Sequence, residues 1–341
     1  MNILLIARIS ERKKFLDGVT VKAKILKEYL ECQDSLNVST VDVDDWKKRF
    51  FNIAFDIIKN YKKSDKIVIC SSSNGAYIVL KFLKFINCKK DIFYFVSGGL
   101  LADNIKKGRF KLKFYKDIKK IYVESQDMLE KMNSLGLDNV EKIYNFRKAN
   151  YYQNKYQKSD ITKFVFYGRV VKEKGIEYAI DLIKRLTKNK YKVSLDIFGQ
   201  VDFVYLQEIQ NKIKDCENIN YCGVIKPNNS IEYETLSKYD VFIFPTEHIG
   251  EGLPGALIDA YFSGLAVLVS NWKYAKEYVQ DKKNGYIFEY KNYEDMYNKA
   301  ELMINSKMIE AFKAKSLELS NNYNVEYVLT DFLENLKNEN N

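Results

Sequence analysis

Short apolar runs alternate with longer amphipathic segments along the first half of the chain. Such runs are typical of buried β-strands, and they predict strands at Asn2 to Ile6, Val38 to Val43, Lys66 to Cys70, Asp91 to Val96 and Ile121 to Val123. In the segments between them, apolar side chains recur at helical spacing. This spacing predicts helices that open at Asp17-Gly18 and that span Phe50 to Tyr61, Ala76 to Ile86 and Gln126 to Leu135. Strands alternating with helices predict a parallel sheet with right-handed crossovers.

The alternation lapses between Phe146 and Thr162 and then begins again. The second series predicts strands at Lys163 to Tyr167, Val193 to Phe198, Ile219 to Cys222, Val241 to Phe244 and Ala266 to Val269. Helices are expected at Ile176 to Leu186, Tyr205 to Ile213, Ala256 to Phe262 and Asn324 to Leu336. We therefore predict two α/β domains, at 1–147 and 163–321, joined by a linker at 148–162. A C-terminal helix at about 322–338 is expected to pack back on the first domain.

The composition of the 341 residues, 46% hydrophobic and 29% charged, is that of a soluble globular protein. The longest apolar stretches, such as Ala76 to Ile86, are interrupted by lysines. None approaches the roughly 18 apolar residues that span a bilayer. The first strand has neither a charged leader nor a small-residue cleavage site, which predicts no signal peptide and a cytoplasmic location.

The cysteines and the histidine limit the chemistry that the chain can carry. The five cysteines, at 32, 70, 88, 216 and 222, are odd in number and form no Cys-x-x-Cys pair. This argues against a disulfide framework and against a zinc site. Because His248 is the only histidine, histidine-rich metal sites are excluded, and Ser-His-Asp catalysis would have to involve His248.

The net charge of +10 is unevenly placed, and one strongly basic segment spans Lys106 to Lys120. Between Ile105 and Ile121 the chain carries eight cations against one acid, Asp117. A solvated face is the plain explanation of such a run. Nucleic-acid binding would need more aromatic platforms than this segment offers. Attraction to an anionic membrane surface or to a phosphate-bearing substrate is the better functional interpretation.

The stretch from Phe244 to Ala260 is the strongest candidate for a functional site. It begins at the end of a predicted strand, continues through a loop with three glycines and His248, and enters a predicted helix. Backbone N–H groups and the helix dipole converge at such a corner, which therefore favours anions and nucleotides.

A second loop follows a strand in the same domain, Gly168 to Gly175. It contains Arg169 and Lys174, each next to a glycine that lets the backbone approach a ligand closely. Ligands of open α/β sheets bind at the carboxyl ends of the strands. Two cations there suit a diphosphate whose charge grows as its bond to a sugar breaks. The alternative is a pair of solvated surface cations.

Two acids complete the candidate constellation. Glu251 lies in the loop and Asp259 on the helix, with seven residues between them, a rise of about 12 Å if the span were wholly helical. The two carboxylates could each accept hydrogen bonds from hydroxyl pairs at different parts of an elongated ligand. The alternatives are a solvated turn residue for Glu251 and a helix-surface acid for Asp259.

These motifs together resemble those of a known enzyme family. Gly168-Arg169, Lys174-Gly175, Glu251-Gly252-Leu253-Pro254, Asp259-Ala260 and Gly264 occur in the order and spacing of family 4 retaining glycosyltransferases. Ser270 to Glu277 and Asp17 to Lys22 resemble a bacterial branch associated with capsular polysaccharide, lipopolysaccharide and other surface polysaccharides. The resemblance implies the GT-B fold, in which two Rossmann-like α/β/α domains face a central cleft.

The resemblance also implies a role for individual residues. Arg169 and Lys174 match the pair that neutralises the donor diphosphate, Glu251 the acid that holds sugar hydroxyls, and Asp259 the acid that holds the nucleotide ribose. Further donor-binding positions are implied at Gly18, Gly168, Gly199, Gln200, Val224, Ile225, Gly252 and Leu253. Since phosphate neutralisation alone activates the leaving group, neither a metal nor another cofactor is implied.

The chain departs from the family pattern in three places. Asp259 stands where a glutamate is usual, Asp17-Gly18 replaces a pair of glycines, and Ser97-Gly98-Gly99 stands where many relatives carry a histidine. The absence of that histidine puts side-chain assistance from the first domain in doubt, whereas Asp259 can still accept a bidentate contact from the ribose. Ser97, Gly98 and His248 remain as candidate substrate contacts.

Three hypotheses follow. The leading one is a retaining hexosyltransferase that moves a hexose from a nucleotide sugar to a glycan or a lipid-diphosphate-linked acceptor, either in the cytoplasm or on the inner face of the cell membrane. The second is a non-catalytic GT-B subunit that binds a nucleotide sugar or glycan and supports a partner enzyme. The third is a sugar-nucleotide epimerase, whose acid and base groups are scarce in a chain with one histidine.

Overall fold

The computed structural model describes residues 1–10, 17–149, 159–225 and 230–338. The chain divides into two compact units, Met1–Arg147 with Tyr323–Asn341 (unit 1) and Lys148–Asn322 (unit 2). The central part of the predicted linker, residues 150–158, lies outside the described residues.

Unit 1 is built on a six-stranded parallel sheet. Its strands are β1 (Asn2–Ala7), β2 (Asn37–Asp42), β3 (Lys66–Ser72), β4 (Ile92–Ser97), β5 (Lys120–Val123) and β6 (Val140–Lys142). Its first helices are α1 (Gly18–Glu31), α2 (Trp46–Tyr61), α3 (Ser73–Phe85), α4 (Leu101–Lys106), α5 (Lys113–Lys116) and α6 (Gln126–Ser134). The strand order is β2-β1-β3-β4-β5-β6. The order therefore reverses between β1 and β3, with Leu5 in register with Thr40 on one side and Val68 on the other.

The core of unit 1 includes the end of the chain. After a 3₁₀ turn at Asn321–Tyr323, α14 (Val325–Val328) and α15 (Thr330–Lys337) bring Leu329 and Phe332 into the cluster formed by the sheet and α1. The ring centroid of Phe332 lies 4.8 Å from that of Phe95, edge to face. The single helix predicted over Asn324 to Leu336 is wrong, because the helix is interrupted at Leu329 (φ −96°, ψ 6°). The Thr330 hydroxyl donates to the Glu326 carbonyl at 2.8 Å and so competes with the helical backbone.

Unit 2 has a second six-stranded parallel sheet. Its strands are β7 (Thr162–Tyr167), β8 (Val193–Phe198), β9 (Ile219–Tyr221), β10 (Val241–Phe244), β11 (Ala266–Ser270) and β12 (Gly285–Phe288). Its helices are α7 (Ile176–Lys188), α8 (Phe203–Ile213), α9 (Ser230–Leu236), α10 (Gly255–Phe262), α11 (Ala275–Tyr278), α12 (Tyr293–Asn305) and α13 (Ile309–Ser320). The strand order is β12-β11-β10-β7-β8-β9, and Phe164, Phe166, Ile180 and Ile183 belong to its core. Two doubly wound parallel sheets are the architecture that the sequence pattern predicts.

Candidate functional site

In unit 2 the strand order reverses between β7 and β10, which are neighbours in the sheet. Ligands of doubly wound domains bind at the carboxyl ends of the strands at this kind of reversal. Two segments leave the sheet there, and we call them the β7 loop (Gly168 to Gly175) and the β10 loop (Pro245 to Pro254). Both coincide with the stretches that the sequence marks as candidate sites.

Close backbone contacts hold the β7 loop against both neighbouring strands. On the β8 side, Gly168 N donates to Phe198 O at 3.1 Å, and a Cβ at Gly199 would lie 1.6 Å from Gly168 O. On the β10 side, Gly175 has a left-handed φ of +74°, and a Cβ there would lie 2.0 Å from Pro245 O. Only glycine fits at Gly175 and Gly199 without a backbone shift, so these two glycines fix where the cations of the β7 loop stand.

The two loops are joined by an ion pair between Lys174 and Glu251. Both side chains are largely buried, with exposures of 12% and 11%. The Lys174 ammonium also lies 5.0 Å from the centre of the Phe244 ring. A cation and a carboxylate that are 77 positions apart in the sequence are thus held together at the carboxyl ends of β7 and β10. Partial burial makes such a pair stronger than an exposed one, because water screens it less.

Thr246 supports this pair and was not among the predicted site residues. It is fully buried, and its hydroxyl lies 3.4 Å from both Glu251 Oε2 and Glu173 O. The same hydroxyl accepts a hydrogen bond from His248 N at 3.2 Å. Its position two residues after a buried strand is the signal in the sequence that could have identified it, because such residues lie at the sheet edge where ligands bind.

His248 and Arg169 lie within electrostatic reach of the Lys174–Glu251 pair. Burial lowers the pKa of His248 below its usual 6.5; Glu251 opposes this shift, and Lys174 and Arg169 add to it. The imidazole is half-buried, and its Nδ1 has no hydrogen-bond partner among the described residues. Arg169 is exposed. The site therefore combines one solvent-facing cation, one paired cation and a neutral imidazole at pH 7.

The lowered pKa of His248 leads to a prediction about stability. Protonation of the folded chain at His248 is unfavourable, so this penalty is absent above about pH 6.5 and grows as the pH falls below it. We expect the Tm of the wild-type chain to fall more between about pH 7.5 and pH 5.5 than that of His248→Gln. Because the chain has one histidine, the difference between the two curves, measured by differential scanning calorimetry, isolates this group. An equal fall in Tm for the wild type and His248→Gln would contradict the lowered pKa of His248.

The remaining predicted residues of the β10 segment lie where the loop enters α10. Gly252 and Leu253 are buried, and Gly252 O accepts a hydrogen bond from Trp272 Nε1 at 3.2 Å. Asp259 lies on α10 and is buried, at 4% exposure. The helix-surface alternative for Asp259 is therefore wrong.

Four other predicted donor-binding residues follow β8 and β9. Gly199 N donates to Gly223 O at 2.8 Å, and the Tyr221 hydroxyl donates to Gly199 O at 2.9 Å. These bonds bring the segment with Gly199 and Gln200 beside the segment with Val224 and Ile225. Gln200 and Val224 are exposed, whereas Ile225 is buried at the edge of the sheet.

Three predicted residues belong to unit 1, at the carboxyl edge of its sheet. Gly18 is the first residue of α1, whose N-cap residue Asp17 accepts from Thr20 N at 2.9 Å and pairs with Arg8 at 2.8 Å. Ser97 ends β4, and its buried Oγ has no hydrogen-bond partner within the described part of the chain. Gly98 follows with φ +88°.

The basic segment, Lys106 to Lys120, spans the end of α4, all of α5 and the start of β5 in unit 1. Six of its lysines and Arg109 are exposed, at positions 106, 107, 109, 111, 113, 116 and 119. Its acid, Asp117, forms an ion pair with Lys84 of α3. Among the residues described, no helix is both long and apolar enough to cross a membrane. Nor do three or more His, Cys, Asp or Glu side chains of this described part gather into a group that could hold a metal ion.

Several known proteins resemble this chain, and a match to a family model shows the family to which it belongs. Residues 149–322 match the model of the family described as glycosyl transferases group 1. The chain is 25% identical over 216 residues, 62% of its length, to a poly(ribitol-phosphate) alpha-N-acetylglucosaminyltransferase of Staphylococcus aureus (strain COL). It is 32% identical over 136 residues, 39% of its length, to the capsular polysaccharide biosynthesis glycosyltransferase CapH of Staphylococcus aureus. The matched regions span 42% and 37% of those two proteins, less than half of each.

Among solved structures, HepE from Anabaena, crystallised with UDP and glucose, aligns with a TM-score of 0.72 at 14% identity. The alignment covers 98% of this chain and 99% of HepE, and shows that the two share a fold. The two parallel-sheet α/β domains are thus those of the GT-B glycosyltransferases. With a family match over half of its length, the chain belongs to the glycosyl transferases group 1 family.

Proposed function

We propose that this chain is a retaining glycosyltransferase of the family 4 type. It moves a hexose from a nucleotide-sugar donor to a glycan or lipid-linked acceptor in the synthesis of a bacterial surface polysaccharide, and it needs no metal. The donor binds at the carboxyl ends of β7 and β10 in unit 2. The observation that carries this proposal is the largely buried ion pair between Lys174 and Glu251, beside the exposed Arg169.

The electrostatics of the β7 loop suit a leaving nucleoside diphosphate. As the bond between the sugar and the diphosphate breaks, its electrons pass to a phosphate oxygen, and negative charge grows there. Arg169 and Lys174 stabilise that charge, which lowers the barrier. An acceptor hydroxyl forms the new bond to the sugar on the same face and passes its proton to the departing phosphate oxygen. Fixed donors of this kind need no reorganisation during the reaction, so they favour the transition state over the ground state.

The acids of the β10 loop and α10 have separate tasks in this proposal. Glu251, held by Lys174, accepts hydrogen bonds from sugar hydroxyls, and the buried Asp259 accepts them from the ribose. Gly252 and Leu253 contact the sugar or its phosphate through their backbone. Gly168, Gly199, Gln200, Val224 and Ile225 line the nucleotide site, and Gly18, Ser97, Gly98 and His248 are further candidate contacts. Buried hydrogen-bonding groups of this kind give specificity, because a ligand without matching groups leaves them unpaired.

Names of the relatives support a donor and an acceptor of this class. HepE was crystallised with UDP and glucose, and the two staphylococcal relatives are named for poly(ribitol-phosphate) and for capsular polysaccharide. For the acceptor, the exposed cations of Lys106 to Lys120 offer attraction to a lipid diphosphate or to an anionic membrane surface. We therefore propose that the chain works at the inner face of the cell membrane.

The proposed function is tested by titrating the purified chain with nucleoside diphosphates and their sugars. We expect one base to raise the Tm, since a ligand at 100 times its Kd stabilises by about 2.7 kcal/mol. We also expect slow hydrolysis of the matching nucleotide sugar in the absence of acceptor. Binding without hydrolysis or transfer would favour a non-catalytic subunit that supports a partner enzyme. No stabilisation by any member of the panel would contradict the proposal.

A further inference from the structure

The outer surface of α2 in unit 1 carries large apolar side chains that none of the described residues of the unit covers. Phe51 is 84% exposed and Phe55 is 66% exposed, and Ile58 is also exposed. Phe51, Phe55 and Ile58 are spaced by four and three residues, so they lie in one stripe along the helix. Lys47 lies four residues before Phe51, across a kink in the helix (φ −117°, ψ 18°), and Lys62 lies one turn after Ile58, in helical conformation (φ −59°, ψ −30°). We call these five residues the α2 stripe.

The α2 stripe is not needed for the core of unit 1. The helix is attached to the sheet by Ile53 and Ile57, its buried residues. On the side towards α3, Trp46, Phe50 and Ala54 line a cavity of about 380 Å³ between the two helices. Phe51, Phe55 and Ile58 therefore face away both from the sheet and from this cavity, whereas Lys47 is among the residues that line it. Exposed apolar patches of this kind mark interaction sites, because leaving them in water costs free energy.

The charges along α2 and the two residues after it are almost all positive, whereas Asp42, Asp44 and Asp45 precede the helix and Asp65 follows it. Between Trp46 and Lys63 the chain carries six cations (Lys47, Lys48, Arg49, Lys59, Lys62 and Lys63) against one acid, Asp56. All five of these lysines are exposed, near the two ends of the helix, at positions 47, 48, 59, 62 and 63. At the C-terminal end of α2, the Lys90 ammonium lies 4.3 Å from the centre of the Tyr61 ring. Phe85, the last residue of α3, is also exposed.

We propose that the α2 stripe binds the surface of an anionic phospholipid bilayer. A helix with aromatic side chains on one face and lysines beside them lies in the headgroup layer, with its apolar face about 5–10 Å deep. The long lysine side chains at both ends of α2 can reach the phosphates while the rings of Phe51 and Phe55 lie among the acyl chains. The six-to-one excess of cations is complementary to an anionic surface.

A protein partner fits this surface less well. The cores of protein interfaces are depleted in lysine, whereas the α2 stripe begins and ends with one. A second copy of the chain would bring two lysine-rich surfaces together, and like charges facing each other oppose association. The bilayer is the partner that accommodates both the phenylalanines and the lysines.

This inference deepens the proposed function and rests on it only for the membrane-bound acceptor. It also differs from the expectation for Lys106 to Lys120, because that segment acts by charge alone, whereas α2 inserts side chains. Vesicle binding is measured without donor or acceptor. Failure of membrane binding would therefore leave sugar transfer untouched, and failure of transfer would leave vesicle binding as it is.

The test is co-sedimentation of the full chain with vesicles of phosphatidylcholine, with and without phosphatidylglycerol. We expect binding only to vesicles that contain phosphatidylglycerol, weakened by salt. The double variant Phe51→Ser/Phe55→Ser should bind at least about tenfold more weakly, because it loses two large apolar side chains. Since both positions are exposed, its Tm should match that of the wild type.

A matched control exists in unit 2. Phe203 and Val204, at the start of α8, are 73% and 65% exposed, and Phe203→Ser/Val204→Ser should leave vesicle binding unchanged. A charge variant, Lys107→Glu/Lys111→Glu, measures how much the basic segment contributes to vesicle binding, separately from the α2 stripe. Equal binding by the wild type and Phe51→Ser/Phe55→Ser would overturn the proposal. So would a stable dimer without vesicles that this variant dissociates, because the stripe would then be a protein interface.

Discussion

Lys174→Ala is expected to lower the rate of sugar transfer by about 10²- to 10³-fold, the usual effect of removing one electrostatic stabiliser of a developing charge. The β7 loop would keep its backbone contacts through Gly168 and Gly175, so the fold should remain. The variant also leaves the partly buried carboxylate of Glu251 without its cation, and that carboxylate then repels an incoming diphosphate. Both the binding of the nucleoside diphosphate and the turnover should fall. Steady-state kinetics and titration calorimetry measure the two effects.

Lys172→Ala is the matched control for Lys174→Ala. Lys172 lies on the same 3₁₀ turn but points to Glu208 at 3.0 Å, and it is exposed. Its removal should leave transfer close to the wild-type rate. Near-normal turnover of Lys174→Ala, or an equal loss in both variants, would contradict the role of Lys174.

Glu251→Gln is expected to separate binding of the nucleotide from transfer of the sugar. Glutamine removes the charge that pairs with Lys174, so the ammonium becomes fully available to the diphosphate. The nucleoside diphosphate should therefore bind as tightly as in the wild type or more tightly. Transfer should nevertheless fall by roughly 10- to 100-fold, because a hydrogen bond to a charged acceptor contributes about 1.5–3 kcal/mol.

The control for this variant is another acid of the same loop. Glu247 accepts a hydrogen bond from the Tyr293 hydroxyl, and Glu247→Gln should change neither diphosphate affinity nor transfer by more than a few-fold. If Glu251→Gln weakens diphosphate binding as much as Lys174→Ala does, Glu251 holds the loops rather than the sugar. Comparison of the Tm values of the variants detects that structural role.

The two variants are expected to affect diphosphate binding differently: Lys174→Ala weakens it, whereas Glu251→Gln leaves it unchanged or strengthens it. This difference follows from a single feature of the free chain. Lys174 and Glu251 neutralise each other before any donor arrives. Binding of the diphosphate must therefore draw the ammonium partly away from the carboxylate, which becomes available to the sugar. The pair thus couples recognition of the diphosphate to recognition of the hexose.

Ten of the twelve strands in the described part of the chain were predictable, because strands buried on both faces of a parallel sheet are continuous apolar runs. Val193–Phe198 and Val241–Phe244 have the predicted bounds. The loops that follow these strands could be assigned to one edge of the sheet, because the carboxyl ends of parallel strands lie at the same edge. Short elements such as β6 (Val140–Lys142), β12 (Gly285–Phe288) and α5 (Lys113–Lys116) were missed, because their few residues show no clear period. The longer helices α12 (Tyr293–Asn305) and α13 (Ile309–Ser320) were not predicted either.

Other features depend on contacts between distant residues, which spacing along the chain does not reveal. The sequence indicated Lys174 and Glu251 separately, and their pairing required the alignment of β7 beside β10. Helix α2 begins at Trp46 rather than at the predicted Phe50, with non-helical dihedral angles at Arg49 (φ −117°, ψ 18°). The outward direction of Phe51 and Phe55 was likewise hidden, because helical spacing alone does not say which apolar face meets the sheet.

The central claim is that the β7 and β10 loops of unit 2 recognise a diphosphate through Lys174. The most direct measurement is the ratio of the Kd values for the nucleoside monophosphate and diphosphate of the preferred base, in the wild type and in Lys174→Ala. We expect the wild type to prefer the diphosphate by about 10-fold or more, the usual strength of one charge-assisted hydrogen bond, and the variant to lose most of that preference. An unchanged preference in Lys174→Ala would contradict the account.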